Sequence, residues 1–230
     1  MLPPMFRRSA SRILGALALA ITLCVSSFAQ TAPAATPAPD RKTSRPYTGD
    51  LTIFDSPGRE DRLQINRVMD MLAITPGKNV ADIGAGSGWF TVRAAKRVTD
   101  TGTVYAVDIN SEAIQYIDNR AQKENLKNIK TVLSQPDDPA LPPATVDAVL
   151  MLKTYHEIAH PVTLLKNLQK SLRPGAKIGI IDRKGNGENH GVNKDVVVRE
   201  ADQAGFKLVS QSDFVKADDM DYFLIFAAKE

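Results

Sequence analysis

Glycines and an aspartate are concentrated in one segment, Val80–Thr91, which reads Val-Ala-Asp-Ile-Gly-Ala-Gly-Ser-Gly-Trp-Phe-Thr. Glycines after a strand let the backbone turn sharply and let a ligand approach it, and the following helix directs its first N–H groups toward that ligand. The spacing is Gly84-x-Gly86-x-Gly88, whereas dinucleotide-binding loops have G-x-G-x-x-G. The carboxylate of Asp82 would repel a diphosphate and attract an ammonium group. The segment therefore predicts a site for a ligand that carries an ammonium group and no phosphate.

A second acidic residue, Asp108, ends an apolar segment 20 residues after Gly88. An acid at the tip of the second strand of such a unit accepts hydrogen bonds from ribose hydroxyls. Asp108 therefore indicates a nucleoside in the ligand, without distinguishing a nicotinamide dinucleotide from another adenosine derivative.

Two of the three histidines form the H-E-x-x-H pattern of zinc proteases, with His156, Glu157 and His160, and His190 is available as a third ligand. That chemistry needs one uninterrupted helix that carries both histidines. Here the motif directly follows a long apolar segment, and Pro161 favours a helix that begins after the motif. We therefore expect no metal ion at the motif.

The same stretch lies where open α/β sheets bind ligands, just past the carboxyl end of a buried strand. Tyr155, His156 and Glu157 are the candidates for contact with a substrate, and His156 is a candidate general base because imidazole titrates near neutral pH. Asp182-Arg183 and His190 are expected at the same edge. The alternative, that these side chains only pack against or cap the next helix, stays open.

The elements that must position these residues alternate along the chain. Apolar runs predict strands at residues 79–83, 102–107, 129–133, 146–152, 177–181, 206–210 and 222–228. Periodicity and capping residues predict helices at 61–72, 89–98, 112–124, 161–172 and 192–204, with Ser111 as the N-cap of the third. The alternation indicates an α/β fold, with a mainly parallel sheet and helices on both faces. No helix is predicted between the last two strands, so we expect the final strand to be antiparallel.

These segments together resemble the class I S-adenosylmethionine-dependent methyltransferases. Each of five segments is similar to a motif of that family: Val80–Thr91 and Val104–Asn110 to the first two, Gln135–Asp138 to the acidic loop after strand 3, Val146–Leu150 to the fourth, and Leu172–Ala176 to the Leu-x-Pro-Gly-Gly turn. Ala176 replaces the usual second glycine of that turn. The resemblance covers about residues 61–228, and it is the combination of motifs that is specific.

The resemblance implies S-adenosylmethionine as the cofactor and a Rossmann-like, seven-stranded sheet in the order 3-2-1-4-5-7-6, with strand 7 antiparallel. The residues implied in cofactor binding are Asp82, Gly84, Ala85, Gly86, Gly88, Asp108, Ile109, Asp137 and Asp138. Of these, the acidic loop with Asp137 and Asp138 is expected to contact adenine. The resemblance also places Tyr155, His156 and Glu157 beside the methyl group and its acceptor.

The function predicted from these residues is methyl transfer to a small-molecule acceptor. A compact domain without an added domain favours a small molecule over a macromolecule as the acceptor. Three alternatives stay open: a non-catalytic S-adenosylmethionine-binding module, an NAD-dependent oxidoreductase and a zinc hydrolase. Bound NAD would indicate the oxidoreductase, and bound zinc would indicate the hydrolase. Absence of turnover with bound S-adenosylmethionine would indicate the non-catalytic module.

The N-terminus predicts export. Basic residues precede an apolar run from Ile13 to Val25, and Ser27-Phe28-Ala29 offers small residues for cleavage after Ala29. The predicted organisation is a signal peptide at 1–29, a linker rich in Ala, Pro and Thr at 30–46, and a methyltransferase domain at 47–230. The expected location is periplasmic or secreted. The alternative is an uncleaved N-terminal segment that anchors the chain to the inner membrane. No other contact with a membrane is expected.

Charge and cysteine content exclude several classes of function for the mature chain. The full chain has 29 Lys and Arg against 26 Asp and Glu, and removal of residues 1–29 takes away three arginines and leaves the two counts equal. A body without net positive charge gives no support for nucleic-acid binding. Cys24, the single cysteine, lies in the predicted signal, so no disulfide or thiolate chemistry is expected after cleavage. The oligomeric state is not predicted.

Overall fold

The computed structural model describes residues 41–230, all of them in one compact unit that spans Ala38–Glu230. The predicted signal peptide and residues 30–40 of the predicted linker lie outside the described residues. Seven strands form one sheet: β1 Val80–Ile83, β2 Val104–Asp108, β3 Ile129–Leu133, β4 Val146–Leu152, β5 Leu172–Asp182, β6 Phe206–Ser212 and β7 Tyr222–Ala228. Each predicted strand is present.

The strands lie in the order β3-β2-β1-β4-β5-β7-β6, and β7 is antiparallel to both of its neighbours. The other pairs are parallel, with Val80 opposite Val104 on one side and opposite Ala148 on the other. The predicted order and the antiparallel final strand are therefore confirmed. The order reverses between β1 and β4, and a crevice at the carboxyl ends of the strands opens at such a reversal.

Within residues 41–230, six α-helices accompany the sheet: α1 Arg59–Leu63, α2 Ile65–Met71, α3 Trp89–Val98, α4 Ser111–Lys123, α5 Pro161–Gln169 and α6 Lys194–Gln203. Three short 3-10 helices lie at Leu51–Asp55, Tyr155–Glu157 and Phe214–Asp218. The third lies between β6 and β7, where no helix was expected. No helix among residues 41–230 has both the length and the apolar character needed to cross a membrane.

The central strands β1, β2 and β4 are buried on both faces, whereas the edge strands β3 and β6 are partly exposed. Side chains of a central strand alternate between two apolar layers, as the period of two requires. Along β2, Val104 belongs to the layer that also holds residues of α1, α2 and α3, whereas Tyr105 belongs to the layer that holds residues of α5 and α6. Burial on both faces explains why β4 is almost uniformly apolar. Because the strands are packed in this way, the positions at which the loops leave the carboxyl edge of the sheet are fixed.

Several local boundaries differ from the predictions. The helix predicted at 61–72 is two helices, because Gln64 adopts a left-handed conformation with φ of 51° between them. The N-cap of α4 is Asn110, whose side chain accepts from the N–H of Glu112, and Ser111 is the first helical residue. The turn at Leu172–Ala176 is part of β5, where the register to β4 shifts between Leu172 and Lys177.

The end of the predicted linker packs against the domain. Arg41 donates hydrogen bonds to Glu200 at 2.9 Å and to the carbonyl oxygens of Tyr155 and Ile158 at 2.5 and 2.8 Å. Ser44 is 4% exposed and donates to the carbonyl of Gly187 at 2.9 Å. Ordered contacts therefore begin before Tyr47, because these polar groups find partners on the domain surface.

Candidate active site

A cavity of 780 Å³ opens at the carboxyl edge of the sheet, at the reversal between β1 and β4. Its volume is in the range of sites for small molecules and cofactors. One end of the cavity is formed by the tips of β1 and β2 and will be called the cofactor end; it holds Asp82, Gly84 and Asp108. The other, formed by the segments after β4 and β5, will be called the acceptor end, and it holds His156 and His190.

The glycine loop follows β1 directly and needs glycine for steric reasons. Gly84 has a φ of +70°, and a Cβ atom there would collide with the side chain of Thr154. The loop is held against β2, because the N–H of Gly86 donates to Oδ2 of Asp108 at 2.9 Å. Gly88 does not line the cavity; it has a φ of +71° and caps the start of α3. Gly84, Ala85 and Gly86 line the cofactor end of the cavity.

Asp108 is partly buried at the tip of β2 and lines the cavity together with Ile109. Its carboxylate accepts from the N–H groups of Gly86 and Asn110, both at 2.9 Å. A carboxylate has about four lone-pair positions, so two remain for hydroxyl donors. These bonds fix the orientation of Asp108, and a ribose diol is a fitting partner for its free positions.

Asp82 is 2% exposed and lines the cofactor end. Burial raises the pKa of its carboxyl to about 7; the Thr91 hydroxyl, which donates at 2.6 Å, opposes this shift, and the charge of Asp108 adds to it. A buried carboxylate without a cation is costly, and a ligand ammonium group would relieve that cost. This is the property expected of a residue that faces the amino acid part of S-adenosylmethionine.

The acidic loop after β3 differs from the prediction. Ser134, Gln135 and Pro136 line the cavity, whereas Asp137 and Asp138 do not. Asp137 accepts from Nδ1 of His160 at 2.9 Å, and Asp138 accepts from the N–H of Ala140 at 2.9 Å. The two carboxylates are directed into these local contacts, and the preceding three residues form this part of the cavity wall.

At the acceptor end, a buried carboxylate orients an imidazole. Asp182, at the end of β5, is 0% exposed, and His156 is 1% exposed. Nδ1 of His156 lies 2.9 and 3.0 Å from the two carboxylate oxygens of Asp182, and the backbone N–H of His156 donates to the same carboxylate at 3.1 Å. A carboxylate only accepts, so Nδ1 carries the proton and Nε2 keeps a free lone pair.

Glu157 lies beside this imidazole and lines the cavity, with Oε1 at 3.7 Å from Nε2 of His156. Burial raises the pKa of Glu157 to about 7; the neighbouring His156 opposes this shift, while the charges of Asp108 and Asp182 add to it. The acceptor end thus contains a carboxyl group that can exchange a proton near neutral pH, next to the imidazole of His156.

Tyr155 does not face the cavity. It is 0% exposed and belongs to the apolar layer under α5 and α6. Its hydroxyl donates to Glu200 at 2.9 Å, and burial raises the pKa of this phenol well above its usual value. The predicted contact of Tyr155 with the acceptor is therefore not found, because the 3-10 turn at Tyr155–Glu157 directs neighbouring side chains to opposite sides.

The H-E-x-x-H motif does not form a zinc-protease helix. His156 lies in a 3-10 turn, and the next α-helix begins at Pro161, after the motif ends. Nδ1 of His160 donates to Asp137 at 2.9 Å, whereas Nδ1 of His156 donates to Asp182. The prediction that Pro161 begins the helix is confirmed.

Sequence reasoning missed one wall of the cavity, formed by residues 43–54. Tyr47 and Phe54 contact each other edge to face with ring centroids 5.3 Å apart, and Leu51 is buried. Asp55 ties this wall to the glycine loop: Arg120 binds Asp55 at 2.9 Å and the carbonyl of Ser87 at 3.0 Å. No periodic pattern marks this segment, so its place was not predictable.

Lys153 and Arg183 also line the acceptor end. Arg183 was expected at this edge of the sheet, and Lys153 was not predicted. Burial lowers the pKa of Lys153, and the charges of Arg183 and Arg59 add to this effect. Both residues directly follow strands, at the ends of β4 and β5, and that position was the available signal.

A family model described as a methyltransferase domain matches residues 74–214, more than half of the chain. The fold, the glycine loop with its two acids, and this match agree. The chain belongs to the methyltransferase domain family and has the fold of the class I S-adenosylmethionine-dependent methyltransferases.

Sequence relatives are similar over part of their length. Nocamycin O-methyltransferase of Saccharothrix syringae is 28% identical over 129 residues, which cover 56% of this chain and 46% of that protein. The 2-phytyl-1,4-naphtoquinone methyltransferase of Trichormus variabilis is 31% identical over 108 residues, 46% of this chain and 47% of that protein. The chain spans about half the length of the curated relatives it matches.

Solved structures are similar over most of the chain. A SAM-dependent methyltransferase from Aquifex aeolicus has a TM-score of 0.71 and 26% identity, and the match covers 78% of this chain and 98% of that one. The Burkholderia thailandensis 1,6-didemethyltoxoflavin-N1-methyltransferase, solved with its substrate and S-adenosylhomocysteine, has a TM-score of 0.59 at 18% identity, with 78% and 81% coverage. At this identity, the similarity to the Burkholderia enzyme concerns the fold alone.

Proposed function

We propose that this protein methylates a hydroxyl or amine group of a small, largely apolar acceptor bound between the glycine loop and His156. The observation that carries the proposal is the Asp182–His156 pair, which leaves Nε2 of a buried imidazole as a proton acceptor in the same cavity as the cofactor residues. A base positioned in this way assists methyl transfer when the attacking atom of the acceptor must lose a proton.

The cofactor end supplies position and charge complementarity. Asp108 offers two lone-pair positions to a ribose, and Asp82 offers a carboxylate to an ammonium group. When bound there, S-adenosylmethionine would supply a methyl carbon activated by its sulfonium, with the thioether as the leaving group. Holding both partners in line is the main contribution of the protein and can lower the barrier by roughly 7–11 kcal/mol.

At the acceptor end, Nε2 of His156 takes the proton of the acceptor as the bond to the methyl carbon forms. The imidazolium that results is stabilised by Asp182, whose carboxylate is already in contact with Nδ1. Positioned bases of this kind contribute about 10²- to 10⁴-fold in rate. The pair therefore favours O- or N-methylation, in which the attacking atom starts with a hydrogen.

The lining of the cavity supports an apolar acceptor. Apolar side chains line much of the cavity wall, namely Leu51, Ile53, Phe54, Ile109, Ile158 and Leu164. Among relatives, nocamycin and naphthoquinone derivatives are named as the methylated compounds. We extend to this chain only the general class, a small molecule with an apolar body.

The test uses the full chain with S-adenosylmethionine and a panel of phenols, aliphatic alcohols, quinols and amines, with S-adenosylhomocysteine measured by mass spectrometry. We expect turnover with at least one hydroxyl or amine compound and its loss in His156→Gln. Cofactor binding without any turnover would favour a non-catalytic binding module. Full turnover in His156→Gln would contradict the assignment of the base.

We also propose export of the chain, which rests on the basic and apolar pattern of residues 1–29. The test is mass spectrometry of the protein isolated from its native cells. A mature chain that begins at Gln30 supports cleavage after Ala29. An intact N-terminus in the membrane fraction would instead indicate an anchored protein.

A further inference from the structure

We propose that His156, Glu157 and His190 bind one divalent transition-metal ion at the acceptor end of the cavity. One potential ligand atom from each of the three residues lies within 4.8 Å of the other two. All three residues line the cavity. The inference rests on the proposed function, because the metal ion would bind the acceptor oxygen in the same site.

The donor set defines the class of ion. Two imidazoles and one carboxylate suit zinc, iron(II), cobalt(II) and manganese(II), whereas magnesium and calcium prefer oxygen donors. Three protein ligands leave at least one coordination position for water or substrate, as in catalytic zinc sites. Because the three residues line the cavity, that open position would face the space available to the acceptor.

Asp182 supplies the outer partner that metal-binding histidines need. A histidine ligand usually donates its second ring N–H to a carboxylate, which fixes the tautomer and makes the other nitrogen a better ligand. Nδ1 of His156 donates to Asp182 at 2.9 Å, and both side chains are almost fully buried. Nε2 of His156 is therefore directed toward Oε1 of Glu157, 3.7 Å away.

His190 is held in place by its backbone while its side chain is exposed. Its N–H donates to Oγ of Ser44 at 2.7 Å, and its carbonyl accepts from Nε of Arg183 at 2.9 Å. Its φ of 55° is in the left-handed region, which is costly for a residue with a side chain. The result is that the ring of His190 stands edge to face with that of His156, with centroids 5.7 Å apart.

Little movement would close the cluster on an ion. Ligand atoms about 2.1 Å from a tetrahedral zinc lie roughly 3.4 Å from one another. The pair formed by His156 and Glu157 is already near that separation at 3.7 Å. The exposed ring of His190 can supply the remaining shift by turning about its side-chain bonds.

This site differs from the one that the H-E-x-x-H pattern suggests. That pattern would use His160, which instead binds Asp137 through Nδ1 at 2.9 Å. The proposed site replaces His160 with His190, from the loop after β5. His160 is therefore the matched control for a test.

A bound ion and a free imidazole would activate the acceptor in alternative ways, since both use Nε2 of His156. A metal ion would bind the acceptor oxygen and lower its pKa, so that the hydroxyl proton leaves to solvent before the methyl carbon is attacked. An apo site would use Nε2 as the base. Chelation of the purified enzyme distinguishes the two.

The experiment uses untagged full chain, dialysed against a chelator and then titrated with Zn²⁺ by calorimetry and with Co²⁺ by visible absorption. Four proteins are compared: wild type, His190→Ala, Glu157→Gln and His160→Ala. We expect one ion per wild-type chain and a Co²⁺ spectrum of low coordination number. His190→Ala and Glu157→Gln should weaken binding by more than the roughly 10- to 100-fold that loss of an outer partner costs, and His160→Ala should not.

Two results would overturn the proposal: no stoichiometric binding by the wild type, or binding that His160→Ala abolishes and His190→Ala leaves intact. Circular dichroism of each variant shows whether it is folded, and both replaced ligands are at least partly exposed, so folding should persist. S-adenosylmethionine binding and turnover are measured on the same chelated samples. Turnover by a wild type that binds no metal would contradict the metal proposal and leave the proposed function standing. Failure to bind S-adenosylmethionine would contradict the proposed function itself.

Discussion

Nδ1 of His156 lies 2.9 Å from Oδ1 of Asp182, although the two residues belong to different segments of the sheet edge and are 26 positions apart in the chain. The carboxylate also accepts from the backbone N–H groups of His156 and Arg183. These three bonds satisfy a fully buried charge and set the tautomer of the imidazole. Both the proposed base and the proposed metal ligand depend on this pair.

Replacing Asp182 with asparagine should lower kcat by roughly 10²-fold or more, because an amide can donate to Nδ1 and reverse the tautomer. The Kd for S-adenosylmethionine should change little, since Asp182 does not line the cavity. Single-turnover kinetics and calorimetry measure the two quantities. Asp202→Asn, on the exposed ion pair with Lys229, is the matched control. An unchanged kcat in folded Asp182→Asn would show that the pair has only a structural role.

Replacing Asp108 with alanine should weaken S-adenosylmethionine binding by about 1.5–3 kcal/mol, the usual loss for hydrogen bonds to a charged group. The same carboxylate positions the N–H groups of Gly86 and Asn110, so some of the loss will come from the loop. Calorimetric titration gives the Kd. Asp118→Ala, which removes an acid of α4 that accepts from Thr131, should leave it unchanged. Equal affinities for the wild type and Asp108→Ala would exclude the ribose contact.

The affinity for S-adenosylmethionine should increase as the pH rises from 6 to 8. Burial raises the pKa of Asp82 to about 7, so the carboxylate that attracts the ammonium group is largely protonated at pH 6 and ionised at pH 8. The gain is at most roughly ten-fold per pH unit below the pKa. Calorimetry across this range measures it, and Asp82→Asn should bind weakly with a flatter profile. Parallel profiles for the two proteins would assign the pH dependence to another group.

Without cofactor, the same aspartate should make stability fall as the pH rises. The folded-state pKa of about 7 lies above the ordinary value of 3.8, so the folded state retains a proton that the unfolded chain releases between those values. The lost stability approaches about 4 kcal/mol above pH 7. Denaturant unfolding at pH 5 and pH 8 should therefore show a larger loss for wild type than for Asp82→Asn. Glu157 is present in both proteins, so the difference between them isolates Asp82.

Tyr155→Phe should lower the free energy of unfolding by about 1 kcal/mol, the usual contribution of one hydrogen bond, and leave kcat unchanged. Its hydroxyl binds Glu200 in the protein interior and does not reach the cavity. Thermal unfolding and steady-state kinetics test the two parts, with Tyr116→Phe on α4 as the control. A large loss of kcat at unchanged stability would restore Tyr155 as a contact of the acceptor.

The amino-acid sequence by itself determined the fold and the cofactor end of the cavity. The alternation of strands and helices predicted the α/β class, and the resemblance to a known family implied the strand order. The glycine loop, Asp82 and Asp108 each follow or end a strand. These features are local, because a residue that ends a buried parallel strand must lie at the carboxyl edge of the sheet. Contiguous motifs therefore carry that information without the tertiary structure.

Only the tertiary structure decided which side chains meet at the acceptor end. The 3-10 turn at Tyr155–Glu157 sends Tyr155 into the core and His156 toward Asp182, and sequence spacing does not specify that choice. The pairing of Asp137 with His160, the position of His190 and the wall at residues 43–54 likewise depend on contacts between distant segments. Such contacts form where packing of the whole domain fixes side-chain directions, so they are a property of the folded chain.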